Sequence, residues 1–323
     1  MRAVTIDIGK ASGRVLCSTI FRPSGRKLLA KGHILRDEDV RLLQAEGLGE
    51  VWIAELEPNE LDEDRAVLEA ASHVGSGAVE IRAAAGGRAN IFALETGALV
   101  VNSDLLREVN TSDAITVATA APFSYVTAGQ RVASIKSTPF AVGQEQLDSL
   151  RHMVQGQAAL VEVRPIRQPK VAVLFSDPLQ PERAEEQFRN VIRQRLEAVG
   201  VATWGSARCL EDDLPLIRSL LHLLKGEPTV ILVASTTAPA GPGDAVGRAI
   251  TAIGARIERF LVPVEPGNLA LLAYRETVSI LAAPGCYRSV KPNVLNLMVP
   301  ALLSGYPLAS REIAGMGAGG LLG

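Results

Sequence analysis

Beyond residue 170 the chain alternates short apolar, β-branched runs with longer segments of helical periodicity, and this alternation restricts it to a layered α/β fold. Val171 to Phe175 is apolar at every position, as suits a parallel strand covered on both faces. Pro181 to Val199 follows as an amphipathic helix with Phe188, Val191, Ile192, Leu196 and Val199 on one face, and Gly200 is placed to close it. The pattern then predicts a strand at Val201 to Trp204 and a helix over Leu214 to Leu224, capped by Asp212 or Asp213. A central strand is expected at Thr229 to Ala234 and a helix from about Ala245 to Ile253. Leu269 to Tyr274 and Val278 to Ala282 read as a hairpin joined through Arg275-Glu276-Thr277, and a last long helix runs from about Val290 to Leu303. The sum is a doubly wound, mostly parallel sheet with an antiparallel addition.

The segment Arg164-Pro165-Ile166-Arg167-Gln168-Pro169 disfavours helix and reads as a linker. Ahead of it lies a β-rich α+β region. Val4 to Ile8, Gly13 to Ile20 and Val51 to Leu56 read as strands, and Asp37 to Glu46 and Glu63 to Ser72 as helices. From Val79 onward strands are expected at Ala89 to Ala93, Ala98 to Val101, Ala114 to Ala118 and Gln130 to Lys136, with Lys136 ending an ordinary strand. The expected division is 1–78 (small α+β subdomain), 79–164 (β-rich subdomain), 170–306 (α/β domain) and 307–323 (Gly-rich tail).

A hydrophobic fraction of 47% with 21% charged residues belongs to a globular chain. A formal net charge of -2 and an aromatic content of 4% argue against a general nucleic-acid binder. Cys17, Cys209 and Cys286 are far apart and odd in number, which reads as three reduced thiols. Met1 to Lys10 lacks the apolar core of a signal peptide and no run approaches a membrane span, so a cytoplasmic protein without membrane attachment is expected.

In open α/β sheets ligands collect outside the carboxyl ends of the strands, and three loops answer that description. Ala234-Ser235-Thr236-Thr237-Ala238-Pro239-Ala240-Gly241-Pro242-Gly243-Asp244 leaves the central strand. Its small residues admit a ligand to the backbone, its hydroxyls can bond phosphate or pterin groups, and Asp244 reads first as a helix N-cap. Pro263-Val264-Glu265-Pro266-Gly267-Asn268 is a rigid turn. Ala283-Pro284-Gly285-Cys286-Tyr287-Arg288-Ser289 precedes the last helix, whose amides would favour an anion, with Arg288 and Lys291 adding charge. Tyr287 reads as cover for the core or as a platform for a flat ring. The four histidines have no ligand-pair spacing, which makes a protein-held zinc site improbable.

In this order, these segments resemble the molybdopterin-binding domain shared by molybdopterin adenylyltransferases, molybdenum-insertion proteins and gephyrin. Gly87-Arg88-Ala89-Asn90-Ile91-Phe92-Ala93, Ile135-Lys136-Ser137-Thr138-Pro139-Phe140-Ala141-Val142 and Gly315-Met316-Gly317-Ala318-Gly319-Gly320-Leu321-Leu322 are similar to signatures of a bacterial subgroup with a β-rich N-terminal half. The resemblance implies a ligand, molybdopterin or molybdenum cofactor, held by Ser235, Thr236, Thr237, Gly241, Gly243, Pro266, Gly267, Pro284, Gly285, Arg288 and Ser289. It also implies a catalytic or Mg²⁺-binding role for Asp244, a homo-oligomer, and a molybdoenzyme or nucleotidyltransferase as partner. The adenylyltransferases carry glycines where this chain has Ser-Thr-Thr-Ala, and side chains there crowd a closely held phosphate. That departure favours binding or carriage of the pterin. The alternative is Mg²⁺-dependent adenylyl transfer or molybdenum insertion.

Overall fold

The computed structural model describes residues 1–237 and 241–322. The chain forms two compact units, one of Met1–Glu95, Val101–Ala120 and Ala128–Val163, the other of Thr96–Val100, Ala121–Thr127 and the chain from Arg164 onward. Among the described residues no helix is long and apolar enough to cross a membrane.

In the first unit, Val79–Ala84, Arg88–Ala93, Arg131–Ser137 and Ile115–Thr119 form a four-stranded antiparallel sheet. Helix Glu63–Val74 packs on it through Ala66, Val67, Ala70, Ala71 and Val74, a stripe at helical spacing, and Asp62 caps the helix by accepting from Arg65 N. Arg2–Asp7, Glu50–Glu55 and Val15–Leu16 form a second antiparallel sheet. The long strand expected over Gly13 to Ile20 is broken into Val15–Leu16 and Ile20–Phe21, and the span read as β-rich also holds helices Ser103–Val109 and Gln144–Val154. Both helices carry strongly polar faces (Gln144–Val154 buries only Leu147 and Leu150), which blunted the periodic signal.

The second unit carries the site. Its elements are β1 (Val171–Asp177), α1 (Pro181–Ala198), β2 (Gly205–Leu210), α2 (Asp213–Leu224), β3 (Val230–Ser235), α3 (Ala245–Ala252), β4 (Arg256–Phe260), β5 (Leu271–Arg275), β6 (Val278–Ala282), α4 (Val294–Leu303) and α5 (Ser310–Gly315). The sheet is six-stranded in the order β2-β1-β3-β6-β5-β4, with β2, β1, β3 and β6 parallel and β5 and β4 antiparallel. Alternation along β1 feeds two cores. Val171, Val173 and Phe175 join Phe188, Ile192 and Leu196 of α1 and Leu295, Met298 and Leu302 of α4. Ala172 and Leu174 join Leu216 and Leu220 of α2 and Val246 and Ile250 of α3. A strand apolar on both faces needs cover on both, which is why this run contains no polar residue before Ser176.

Three local expectations are corrected. Val201 to Trp204 is not a strand: the Val201 amide returns to Leu196 O (2.8 Å), tying it to the end of α1, and pairing with β1 begins only at Gly205. The last helix starts at Val294 rather than Val290, because Pro292 pushes Lys291 out of helical geometry and Asn293 takes the cap position. β4 was not foreseen, since Arg256–Phe260 alternates charge with apolar residues and pairs on one side only, with β5. Downstream of residue 306, Leu308, Ile313 and Met316 enter the core, and the Glu265 amide and carbonyl bond Gly320 O and Leu322 N, both at 2.8 Å. The three cysteines are free and buried.

Candidate functional site at the carboxyl edge of the parallel strands

The ends of β1, β2 and β3 bring two carboxylates and four hydroxyls together. Asp177 is the last residue of β1 and wholly buried. Its Oδ1 accepts the amides of Leu179 (2.8 Å) and Gln180 (2.9 Å), and its Oδ2 accepts the Thr236 hydroxyl (2.6 Å) and Arg183 Nε (2.9 Å). The Thr236 hydroxyl, then the two amides and the Arg183 charge, outweigh desolvation and hold the carboxyl at a pKa of about 2. A carboxylate so well supplied with donors is a poor base at neutral pH, and its chemistry is to fix the loop around it.

Glu211 directly follows β2 and is half-buried. Its carboxylate accepts the hydroxyls of Ser176 (3.2 Å), Ser235 and Thr237. Ser235 in turn accepts the Thr237 amide (3.1 Å), and Thr236 N bonds Ser176 O (3.1 Å). Arg288 Nη2 donates to Thr236 O at 3.3 Å, which places an exposed guanidinium beside the hydroxyl loop.

Of the residues expected from sequence, Ser235, Thr236, Thr237 and Arg288 are brought together here. Their hydroxyls face carboxylates, so in this arrangement they organise Asp177 and Glu211 rather than present donors to a phosphate. Ala238, expected in the same loop, lies outside the described residues with Pro239 and Ala240. Asp244 caps α3, its Oδ1 accepting the Gly247 amide at 2.8 Å. Gly243 is open, and its carbonyl accepts Arg248 Nη1 (2.6 Å), while Arg248 also grips Asp213 at 2.7 Å. Gly241 comes within 3.9 Å of the Phe260 ring, measured from a Cβ built on it. The Glu265–Pro266 bond is cis, and Pro266 O accepts the amide of Val294 (3.1 Å). Gly267 sits against Val294 and Cys286.

The third loop is a short 3-10 turn over Pro284–Arg288 with Gly285 exposed. Ser289 Oγ accepts the Lys291 amide (3.1 Å). At the start of the last helix, where the sequence suggests an anion site, the buried Asn293 accepts the Leu295 amide through its Oδ1 (3.0 Å), so that amide is capped from within. Tyr287 belongs to the core, its ring edge-on to Phe188 at 6.3 Å and its hydroxyl on Leu281 O (3.3 Å). Burial pushes the Cys286 thiol up to about 11, which leaves it without nucleophilic character at neutral pH. Among the described residues no group of three or more His, Cys, Asp or Glu is arranged to hold a metal ion.

Sequence reasoning missed Asp177, Glu211 and Arg183. The available signal was the abrupt polar end of two strands, Ser176-Asp177-Pro178 and Glu211-Asp212-Asp213, at the sheet edge where ligands collect.

The capping role of Asp244 is directly testable. Asp244→Ala is expected to lower stability by about 1 kcal/mol, read as a shift in denaturant midpoint, whereas Asp244→Asn keeps an effective cap. Equal losses in both variants would place the role of the carboxylate elsewhere.

Comparison with known proteins gives limited similarity. A family model described as a domain of unknown function, DUF8806, matches residues 5–55. No curated protein matches the chain. Among solved structures, a molybdenum cofactor biosynthesis protein from Pyrococcus furiosus is 12% identical, with a TM-score of 0.25 over 94% of this chain and 64% of that one. The molybdopterin biosynthesis moea protein from Pyrococcus horikosii is 12% identical, with a TM-score of 0.32 over 96% and 76%. The molybdopterin biosynthesis Mog protein from Mycobacterium ulcerans is 12% identical, with a TM-score of 0.30 over 42% of this chain and 94% of its own. This chain therefore spans less than two thirds of the length of the Pyrococcus furiosus protein. Superpositions at such TM-scores carry no weight for function, which must rest on the residues themselves.

Proposed function

We propose that the six-stranded sheet is doubly wound and that its carboxyl edge binds a phosphorylated pterin of the molybdopterin class, in the biosynthesis, transfer or insertion of molybdenum cofactor. The observation that carries this reading is that one short loop, Ser235-Thr236-Thr237, holds both Glu211, through the Ser235 and Thr237 hydroxyls, and Arg288, through the Thr236 carbonyl. A pterin presents an amine and a ring N–H that a carboxylate accepts side by side, and its phosphate needs a cation with fixed donors. Glu211 supplies the first and Arg288 the second. The order of the loops along the chain, with the resemblance they carry, supports the same ligand.

The donor set favours binding over adenylyl transfer. The hydroxyls that would cradle a phosphate are turned to Asp177 and Glu211, and Asp244 uses Oδ1 to cap α3. Among the described residues no cluster of three or more His, Cys, Asp or Glu places Asp244 in a protein-held Mg²⁺ site. The Mg²⁺-dependent transferase remains the second reading, resting on the position of Asp244 after the small-residue loop. A homo-oligomer, a molybdoenzyme or nucleotidyltransferase partner and a cytoplasmic location belong to the same proposal.

Titration with molybdopterin tests binding, and incubation with molybdopterin, ATP and Mg²⁺ followed by assay of pyrophosphate tests transfer. Saturable binding with little pyrophosphate is expected, and rapid pyrophosphate release would replace the carrier with the transferase. Arg288→Ala is expected to weaken pterin binding roughly tenfold or more, the worth of a charge-assisted bond to phosphate. Unaltered affinity would remove Arg288 from the site.

A further inference from the structure

Helices α1 and α4 border a half-open cavity of about 460 Å³, within the range of small-molecule sites. Its wall is mainly apolar, from Ile192 and Leu196 of α1, Leu232 of β3, and Tyr287, Leu295 and Val299 around α4. Among the described residues Arg195 is the single charged one in that wall. Its Nε and Nη2 donate to Ser289 O (3.1 and 2.6 Å), Nη2 also to Lys291 O (2.6 Å), and Nη1 to Asn296 Oδ1 (3.1 Å).

All of these acceptors are neutral, and among the described residues no carboxylate pairs with Arg195. Arg183, Arg189, Arg208 and Arg248 of the same unit, by contrast, each reach an Asp or Glu. A partly buried cation held by neutral dipoles keeps an unbalanced positive potential, and burial already disfavours its charged form. Uncompensated charge beside an apolar cavity is the chemistry that recognises an apolar body with one negative end.

We propose that this cavity binds a small amphipathic monoanion, with an acyl chain or apolar ring between α1 and α4 and a carboxylate on Arg195. A single guanidinium and an otherwise uncharged wall match one negative charge rather than a doubly charged phosphate. The bound carboxylate would share the donors that now hold Ser289 and Lys291, the residues that follow Arg288 in the chain. The inference stands independently of the pterin reading, because none of Asp177, Glu211, Ser235, Thr236, Thr237 and Arg288 lines the cavity.

Isothermal titration of the full chain with decanoate, decanol and decylamine, each below its aggregation threshold, tests the proposal. Decanoate is expected to bind at one site, decanol at least tenfold more weakly, and decylamine not at all. Val299→Trp fills the cavity and should abolish decanoate binding with an unchanged circular-dichroism spectrum, while Arg195→Met should bring decanoate down to the affinity of decanol. Equal affinity for decanoate and decanol in the native chain, no binding of decanoate, or undiminished binding by folded Val299→Trp would each overturn it. If Arg195→Met fails to fold, the ratio of the two ligands on the native chain and the Val299→Trp titration still decide.

Discussion

Asp177→Ala is expected to lower the stability of the protein by about 3 kcal/mol, the size of effect seen when one partner of a buried charged network is removed. The loss does not come from the carboxylate alone. Four donors converge on it, from Leu179, Gln180, Thr236 and Arg183, and the wholly buried position offers the alanine variant no acceptor in its place. For a unit of this size that corresponds to a fall in melting temperature of roughly 6–12 °C. The pH dependence has a definite sign. The folded-state pKa of about 2 lies below the ordinary 3.8, so the contribution is present above about pH 4 and is lost as pH falls toward 2. The native chain should therefore lose more stability than Asp177→Asn over that window, measured by urea midpoints at stepped pH. Parallel pH profiles for the two proteins would show that the carboxylate is not what the surrounding donors stabilise.

That network also marks where sequence reading stops. The alternation of apolar runs and amphipathic helices made the second unit legible because burial on both faces of β1 and β3 imposes a composition that survives in one dimension. Asp212 and Asp244 were legible as caps for a similar reason, since an N-cap is a local bond within one turn. Asp177 was not, because its defining partner, Thr236, is 59 residues away and a Ser-Asp-Pro step after a strand reads equally well as a turn. Arg195 was hidden in another way. On α1 it occupies the flank of an amphipathic helix, where an arginine ordinarily faces solvent, and only the approach of Ser289 and Lys291 gives it work. β4 escaped because an edge strand needs cover on fewer sides and so tolerates Arg256, Glu258 and Arg259.

The resemblance puts Gly267 in a proline-glycine turn that holds the ligand; its surroundings give a separate reason for a glycine. Its φ is +127°, a region that L side chains rarely adopt, and a Cβ built there would fall 2.5 Å from Cβ and Cγ1 of Val294 and 3.1 Å from the sulfur of Cys286. Val294 opens α4 and is wholly buried, so it cannot swing aside without moving the helix start that Asn293 caps. Backbone strain and overpacking each cost about 1–3 kcal/mol, and Gly267→Ala is therefore expected to destabilise the chain by about 3 kcal/mol. The displaced element is the start of α4 and, through the bond from Asn293 Nδ2 to Cys286 O (3.1 Å), the turn that carries Arg288. Pterin affinity should accordingly fall in Gly267→Ala even where the protein remains folded. The double variant Gly267→Ala with Val294→Ala relieves the packing but not the backbone, so partial recovery of the denaturant midpoint is expected. No recovery would assign the whole cost to φ, and a single variant as stable as the native chain would show that neither constraint operates.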